Sequence, residues 1–262
     1  MTKIALTGAA GRMGRRIAAL ALEDKRFRLV SAMEMPGHQA MGSDVGTLCG
    51  RGPVGLAVSE NLQGDPQVIL DFSTPESTLA WLAAAREKKI AMVIGTTGLT
   101  ESQLAEVADS ASEIPIVQAP NMSVGVNLLF KIVGEVAQAL GEDYDIEITE
   151  AHHRFKKDAP SGTALGLARS VCQATGRAMP DVLVHGRSGA CPRKPGEIGM
   201  HAIRLGDTVG EHSVCFGNLG ETVTLSHSAH TRDTFARGAL RAAEWVAGRK
   251  AGLYTMQDVL FG

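Results

Sequence analysis

The hydrophobic positions of the first 120 residues fall in short unbroken runs. Lys3–Thr7, Arg28–Glu34, Gln67–Phe72, Ala91–Gly95 and Pro115–Gln118 each read as a buried strand. Between them lie longer stretches of helical character. One runs from about Arg12 to Glu23, one is opened by Pro75 and reaches about Lys88, and one spans about Thr100 to Ser110. Apolar strands alternating with helices predict parallel β-α-β units with both sheet faces covered. Right-handed crossovers then give an open, doubly wound α/β sheet. Met35–Gly55, rich in glycine and without a period, reads as loop.

The pattern changes after Asn121. Ser123 is placed to cap a long apolar helix from Val124 to about Leu140. Tyr144–Glu150 alternates, with Ile146 and Ile148 set against Glu147 and Thr149, the period of a half-exposed strand. Ser161–Thr175 reads as a helix and Thr175–Gly199 as loop. Three alternating runs follow without helices between them: Met200–Leu205, Glu211–Phe216 and Glu221–His227. Such a succession predicts an antiparallel or mixed sheet, hence a second, α+β domain. A helix from Asp233 to about Gly248 and a short tail close the chain.

Composition narrows the function classes. At 262 residues and 44% hydrophobic, the chain has length for two domains and material for a sizeable core. A net charge of -2 gives no global basic field for nucleic acid, so any anion site must be local. Cys49, Cys172, Cys191 and Cys215 lie far apart, which argues against a zinc site and against a disulfide framework. No apolar run approaches the ~18 residues of a membrane span. With no leader-like start, the cytoplasm is the expected compartment.

Two segments carry candidate chemistry. Gly8-Ala9-Ala10-Gly11-Arg12-Met13-Gly14 sits between the first strand and first helix. Glycines there let a backbone approach a pyrophosphate, and the helix N-terminus offers N–H groups and a positive dipole end. Ala10 stands where the usual second glycine would be. Glu34, about 20 residues on at the end of the second strand, is placed to hold a ribose diol. Gly95-Thr96-Thr97-Gly98 and Ala119-Pro120-Asn121-Met122-Ser123 follow later strands, at the end where open α/β sheets bind ligands. Taken singly, each of these is also what an ordinary turn looks like.

The second segment packs His152, His153, Arg154, Lys156 and Lys157 into six residues, then leads through Asp158 to Pro160-Ser161-Gly162-Thr163 at a helix start. Ser161 is a good N-cap, and the amides of Gly162 and Thr163 can grip a carboxylate. Histidine titrates near neutrality and serves as a general acid or base. The bland alternative is a solvated basic loop ahead of a routine helix cap.

Taken together, these strings resemble the 4-hydroxy-tetrahydrodipicolinate reductase (dihydrodipicolinate reductase) family. The most specific is His-His-x-x-Lys-x-Asp-Ala-Pro-Ser-Gly-Thr, and the match extends through Asp71-Phe72, Gly206–His212 and Thr234–Ala239. The resemblance implies a Rossmann-type dinucleotide-binding domain over 1–122 and 231–262, and a substrate-binding and tetramerisation domain with a mixed sheet over 123–230. It implies a cytoplasmic homotetramer that reduces a small cyclic dicarboxylate with NADH or NADPH, without metal, in lysine biosynthesis through diaminopimelate. His152 is then the proton donor or acceptor and Lys156 a proton donor. His153, Gly162 and Thr163 hold substrate, while Gly8 to Met13, Glu34, Gly95 to Thr97 and Ala119 to Met122 hold cofactor. Where many members follow the acidic residue with arginine, this chain has Met35, and where another arginine often follows Asp-Phe it has Thr74. NADH is therefore the expected preference. A dehydrogenase of another amino or oxo diacid would share the first domain but not the double-histidine string. A dinucleotide-sensing regulator could dispense with His152 and Lys156.

Overall fold

The computed structural model describes all 262 residues and divides into two compact units, Met1–Val124 with Arg232–Gly262, and Gly125–Thr231. In chain order the first unit begins β1 (Thr2–Thr7), α1 (Arg12–Glu23), β2 (Phe27–Met33), α2 (Val45–Leu48), β3 (Val58–Ser59), β4 (Val68–Asp71) and α3 (Pro75–Lys88). It continues with β5 (Ala91–Ile94), α4 (Glu101–Ser110) and β6 (Pro115–Gln118). The second unit holds most of α5 (Val124–Leu140), then β7 (Asp145–His152), α6 (Gly162–Thr175), β8 (Leu183–His185), β9 (Ile198–Arg204), β10 (Gly210–Asn218) and β11 (Glu221–Ala229). The chain returns to the first unit with α7 (Asp233–Val246), β12 (Gly252–Tyr254) and α8 (Met256–Phe261).

The first unit is a seven-stranded sheet in the order β12-β6-β5-β4-β1-β2-β3, and every pairing in it is parallel. Its unbroken apolar runs are explained by two separate cores. Ile4, Leu6, Val68, Leu70 and Val93 face α1, α7 and α8, whereas Ala5, Ile69, Met92, Ile94 and Ile116 face α3 and α4. Strand order reverses between β1 and β4, so the turns after these strands open at a switch point. No helix is long and apolar enough to cross a membrane.

The second unit is a mixed five-stranded sheet, β11-β10-β7-β9-β8. β9 runs parallel to β7 and β8, while β10 runs antiparallel to β7 and β11. Ile146, Ile148, Met200, Val214 and Phe216 on one sheet face pack with Val133, Ala137, Leu167 and Val171 of α5 and α6.

Several expectations from periodicity are corrected. The closing tail contains β12, an edge strand on β6, and α8. The glycine-rich stretch 35–55 contains the single turn α2, and 175–199 contains β8. These elements run from three to six residues, too short to show a period, and partners hold them in place. In α2, Asp44 accepts from the amide of Thr47 at 3.0 Å and also from those of Val54, Gly55 and Leu56 across the loop. β7 runs two residues beyond Glu150, which puts His152 on the strand instead of the loop.

Candidate active site

In the first unit the residues that follow β1 build a cradle in which two glycines have no space for a side chain. Gly8 has φ +65°, and a Cβ there would stand 2.3 Å from the Phe72 carbonyl oxygen. A Cβ at Gly14 would come within 2.1 Å of the Gly8 carbonyl oxygen. Helix α1 thus starts in direct contact with the turn. Its N-cap is Gly11, and no side chain caps the first turn, so the helix end presents amides and a positive dipole end. Glu34 lies across the turn, where the Ala10 amide donates to its Oε1 at 2.8 Å. This is a cradle that fits the pyrophosphate and ribose of a dinucleotide, with the carboxylate beside the turn.

Below the cradle, Asp71 at the end of β4 is fully buried. It accepts from the hydroxyls of Thr7, Ser73, Thr78 (2.6 Å) and Thr96 (2.7 Å). Four hydroxyl donors satisfy a carboxylate that no cation reaches, and they tie the ends of β1, β4 and β5 together. Thr96 also accepts from the Ser73 amide at 2.9 Å, so its hydroxyl serves loop structure. Gly95 is needed for a different reason, since a Cβ would strike the Phe72 ring at 2.2 Å. Asn121 accepts from the Ser123 amide at 2.9 Å, making a tight turn after β6. The expected cofactor residues therefore lie at the C-terminal ends of β1, β2, β5 and β6 on one edge of the sheet.

In the second unit, β7, β9, β10 and the N-terminus of α6 converge on Glu150, a carboxylate with no solvent exposure. Arg204 Nη1 and Nη2 donate to its two oxygens at 2.9 and 2.8 Å, and the Ser161 amide donates at 3.0 Å. His152 Nδ1 lies 2.6 Å from Oε2. Burial pushes this carboxyl up, but the bonds from Arg204 and His152 outweigh it and hold it below the ordinary glutamate range. Glu150 is therefore ionised and can only accept, so His152 Nδ1 carries the proton and Nε2 is left as the exchangeable atom. Gly210 leaves room there, since a Cβ at that position would stand 3.1 Å from His152 Nε2.

The rest of the loop is tied to the same centre. Lys156 Nζ donates to both oxygens of Asp158 at 2.8 Å, and Arg204 donates to the Asp158 carbonyl at 2.7 Å. Ser161 caps α6 by accepting from the Ala164 amide at 3.2 Å, and its Oγ stands 3.2 Å from Nε2 of the buried His212. His212 meets His152 edge to face with centroids 5.1 Å apart. Nothing lies within 4 Å of a Cβ built on Gly162, so the helix start is open. His153 Nδ1 is buried without a partner.

The expected residues His152, His153, Lys156, Gly162 and Thr163 thus fall at the end of β7, in the loop after it and at the start of α6. Glu150, Arg204 and His212 were not singled out for any role. The register reveals them, since His152 pairs with Arg204 on β9 and Glu150 with His212 on β10. Burial above all, then the neighbouring His152, pushes His212 down to about 4. An unfolded histidine binds a proton near pH 6.5. The unfolded chain thus takes up a proton that the folded chain refuses between those values. Stability from this group is present above about pH 6.5 and lost as pH falls towards 4. Thermal melts across that window should show the slope, and His212→Asn should flatten it. An unchanged slope in the variant would exclude His212 as its source.

A glycine cradle at the switch point of a parallel sheet, joined in one chain to a buried histidine–carboxylate centre, defines a nicotinamide-dependent oxidoreductase. Residues 2–122 match the family model described as "Dihydrodipicolinate reductase, N-terminus", and residues 125–260 match "Dihydrodipicolinate reductase, C-terminus". The chain belongs to this family, the 4-hydroxy-tetrahydrodipicolinate reductases. The 4-hydroxy-tetrahydrodipicolinate reductase of Rubrobacter xylanophilus is 51% identical over 260 residues, 99% of this chain and 98% of that protein. That of Geobacter metallireducens is 49% identical over 264 residues, 99% of each chain. A solved structure titled "Dipicolinate bound Dihydrodipicolinate reductase from Paenisporosarcina sp. TG-14" aligns with a TM-score of 0.78 at 25% identity, over 98% of both chains. An amine dehydrogenase from Mycobacterium smegmatis, TM-score 0.67 at 14% identity, shares the fold alone.

Proposed function

We propose that this chain reduces (2S,4S)-4-hydroxy-2,3,4,5-tetrahydrodipicolinate, with loss of water, to 2,3,4,5-tetrahydrodipicolinate, serving lysine synthesis through diaminopimelate in the cytoplasm. The observation that carries the reading is the continuous segment in which His152, fixed by Glu150, and Lys156 lead directly into the open N-terminus of α6. A reduced nicotinamide cofactor held by the Gly8–Met13 turn and Glu34 would supply the hydride that reduces the ring at C4. The chain's residues supply charge and protons. Gly162 and Thr163 at the start of α6, with His153 nearby, hold a substrate carboxylate through amides and the helix dipole. Lys156, charged and parked on Asp158, donates to the ring nitrogen as electrons reach it. Its partner is an exposed carboxylate, which a substrate can displace at little cost. His152 takes a proton at Nε2 from ring C5 and returns it to the leaving hydroxyl. After reduction the imine re-forms as the ring N–H proton returns to Lys156 and a proton from solvent is added at C5 through His152.

Enzymatically generated substrate and reduced nicotinamide test the reading. Consumption of the nicotinamide with formation of tetrahydrodipicolinate is the expected result. Turnover only with another oxo or amino diacid would overturn it, as would dinucleotide binding without turnover.

NADH is the proposed preferred cofactor, with NADPH poorer. Glu34 sits beside the turn where a 2′-phosphate would meet like charge. Neither of the two positions that would offer it an arginine does so. Met35 is exposed, and Thr74 caps α3 by accepting from the Ser77 amide at 3.3 Å. Steady-state kcat/KM should favour NADH by roughly tenfold or more, about 1.4 kcal/mol, and a clear NADPH preference would sink the assignment. The assembly proposed is a homotetramer formed through the second unit, which light scattering of the purified chain checks.

A further inference from the structure

We infer that Glu150 is a positioning residue for the reaction: it fixes the tautomer and direction of His152 and, through the Ser161 amide, ties that histidine to the carboxylate-gripping start of α6. The inference rests on the reading of His152 as the proton-handling group, and it adds a role for a residue that need never touch the substrate.

The geometry is specific. A carboxylate with two oxygens receives four donors from three separate pieces of chain: His152 Nδ1 at 2.6 Å, the Ser161 amide at 3.0 Å, and both terminal nitrogens of Arg204. Each oxygen takes one bond from Arg204. Oε2 then takes His152 and Oε1 takes Ser161. The carboxylate thus has no freedom to rotate without breaking one of these bonds. Arg204 is the brace on the other side, since its Nη2 also donates to the Asp158 carbonyl at 2.7 Å and holds the loop that carries Lys156. A buried carboxylate costs several kcal/mol unless its donors are complete. Such a cost is a poor route to stability alone. It is justified where a buried charge must hold one orientation of a neighbouring ring, as carboxylates do for histidines that ligate metals or activate nucleophiles.

Four charged or titratable groups face His152: Glu150 on its own strand, Arg204 on β9, His212 on β10 and Lys156 in the loop, itself paired with Asp158. Among them only Glu150 raises its proton affinity, while burial, Lys156 and Arg204 lower it. Glu150→Gln removes the one favourable charge and leaves Arg204 unneutralised beside the ring. It also substitutes an NH2 group that must turn towards Arg204, Ser161 or His152, all of which are donors.

The experiment is a double-mutant cycle in kcat on the full chain with the proposed substrate and NADH. Glu150→Gln is expected to lower kcat by tenfold or more, and to move the histidine limb of the kcat–pH profile to lower pH. The same substitution in a His152→Gln background is expected to cost less than threefold further, because it acts through a ring no longer present. Additive losses, or a normal kcat and pH profile in Glu150→Gln, overturn the inference while leaving His152 in place. Near-normal turnover in His152→Gln would instead remove the reading on which it rests. If Glu150→Gln does not fold, the unsubstituted chain decides through ¹⁵N-histidine NMR. His152 protonated at Nδ1 and bare at Nε2 at neutral pH supports the role, and the opposite tautomer overturns it.

Discussion

Replacing His152 by glutamine is expected to lower kcat by roughly a hundredfold or more, the usual scale for loss of a general acid or base. Glutamine matches the ring in rough size and can still meet Glu150, but it offers no atom that binds and releases a proton near neutrality. The effect should therefore fall on kcat and much less on the Kd for NADH. Lys156→Ala is expected to produce a loss of similar size, since it removes the ammonium held by Asp158. Lys156→Arg should not rescue it, because a guanidinium keeps charge but does not give up its proton. Steady-state kinetics with substrate in excess check all three variants. Near-normal kcat in both His152→Gln and Lys156→Ala would refute the proton roles, and full activity in Lys156→Arg would leave Lys156 as a binding charge only.

The longer elements of the first unit, though not the short α2, β3, β12 and α8, were legible because both faces of its sheet are covered, so β1, β4, β5 and β6 appear as unbroken apolar runs between helical stretches. The segment from His152 to Thr163 stood out in the sequence because its candidate groups are contiguous. What stayed hidden is what the fold brings in from a distance. Arg204 lies 52 positions beyond His152 and reaches it only through parallel register between β7 and β9, which leaves no mark on local periodicity. His212 reads as an inward position on an alternating strand, and only its pairing with Glu150 sets it beside Ser161. Asp71 was visible as part of a motif. Its four hydroxyl partners come from three strand ends and an adjoining helix, and no spacing rule joins them.

The glycine turn permits the second strong expectation, because its glycines differ in how much space they have. A Cβ at Gly14 would lie 2.1 Å from the Gly8 carbonyl oxygen and 2.8 Å from Ala9 Cα. All of this is backbone, which cannot step aside like a flexible side chain. At Gly8 the Cβ meets the Phe72 carbonyl at 2.3 Å, and φ is +65°, which costs an L-residue about 1–2 kcal/mol in addition. At Gly11 the nearest atom is the Gly8 oxygen at 3.1 Å, a contact that a shift of a few tenths of an ångström relieves. Overpacking of the first two kinds typically costs about 1–3 kcal/mol. Because the displaced atoms are those of the cradle itself, the loss should appear in dinucleotide binding as well as in stability. Gly14→Ala and Gly8→Ala are expected to weaken NADH binding by roughly tenfold to a hundredfold, at about 1.4 kcal/mol per tenfold. Gly11→Ala should weaken it by only a few-fold. Titration of nicotinamide fluorescence alongside thermal melts measures both quantities. If Gly11→Ala proved as damaging as Gly14→Ala, close backbone packing would not be what these glycines provide. If Gly14→Ala bound NADH normally, α1 would not be seated on the turn by this contact.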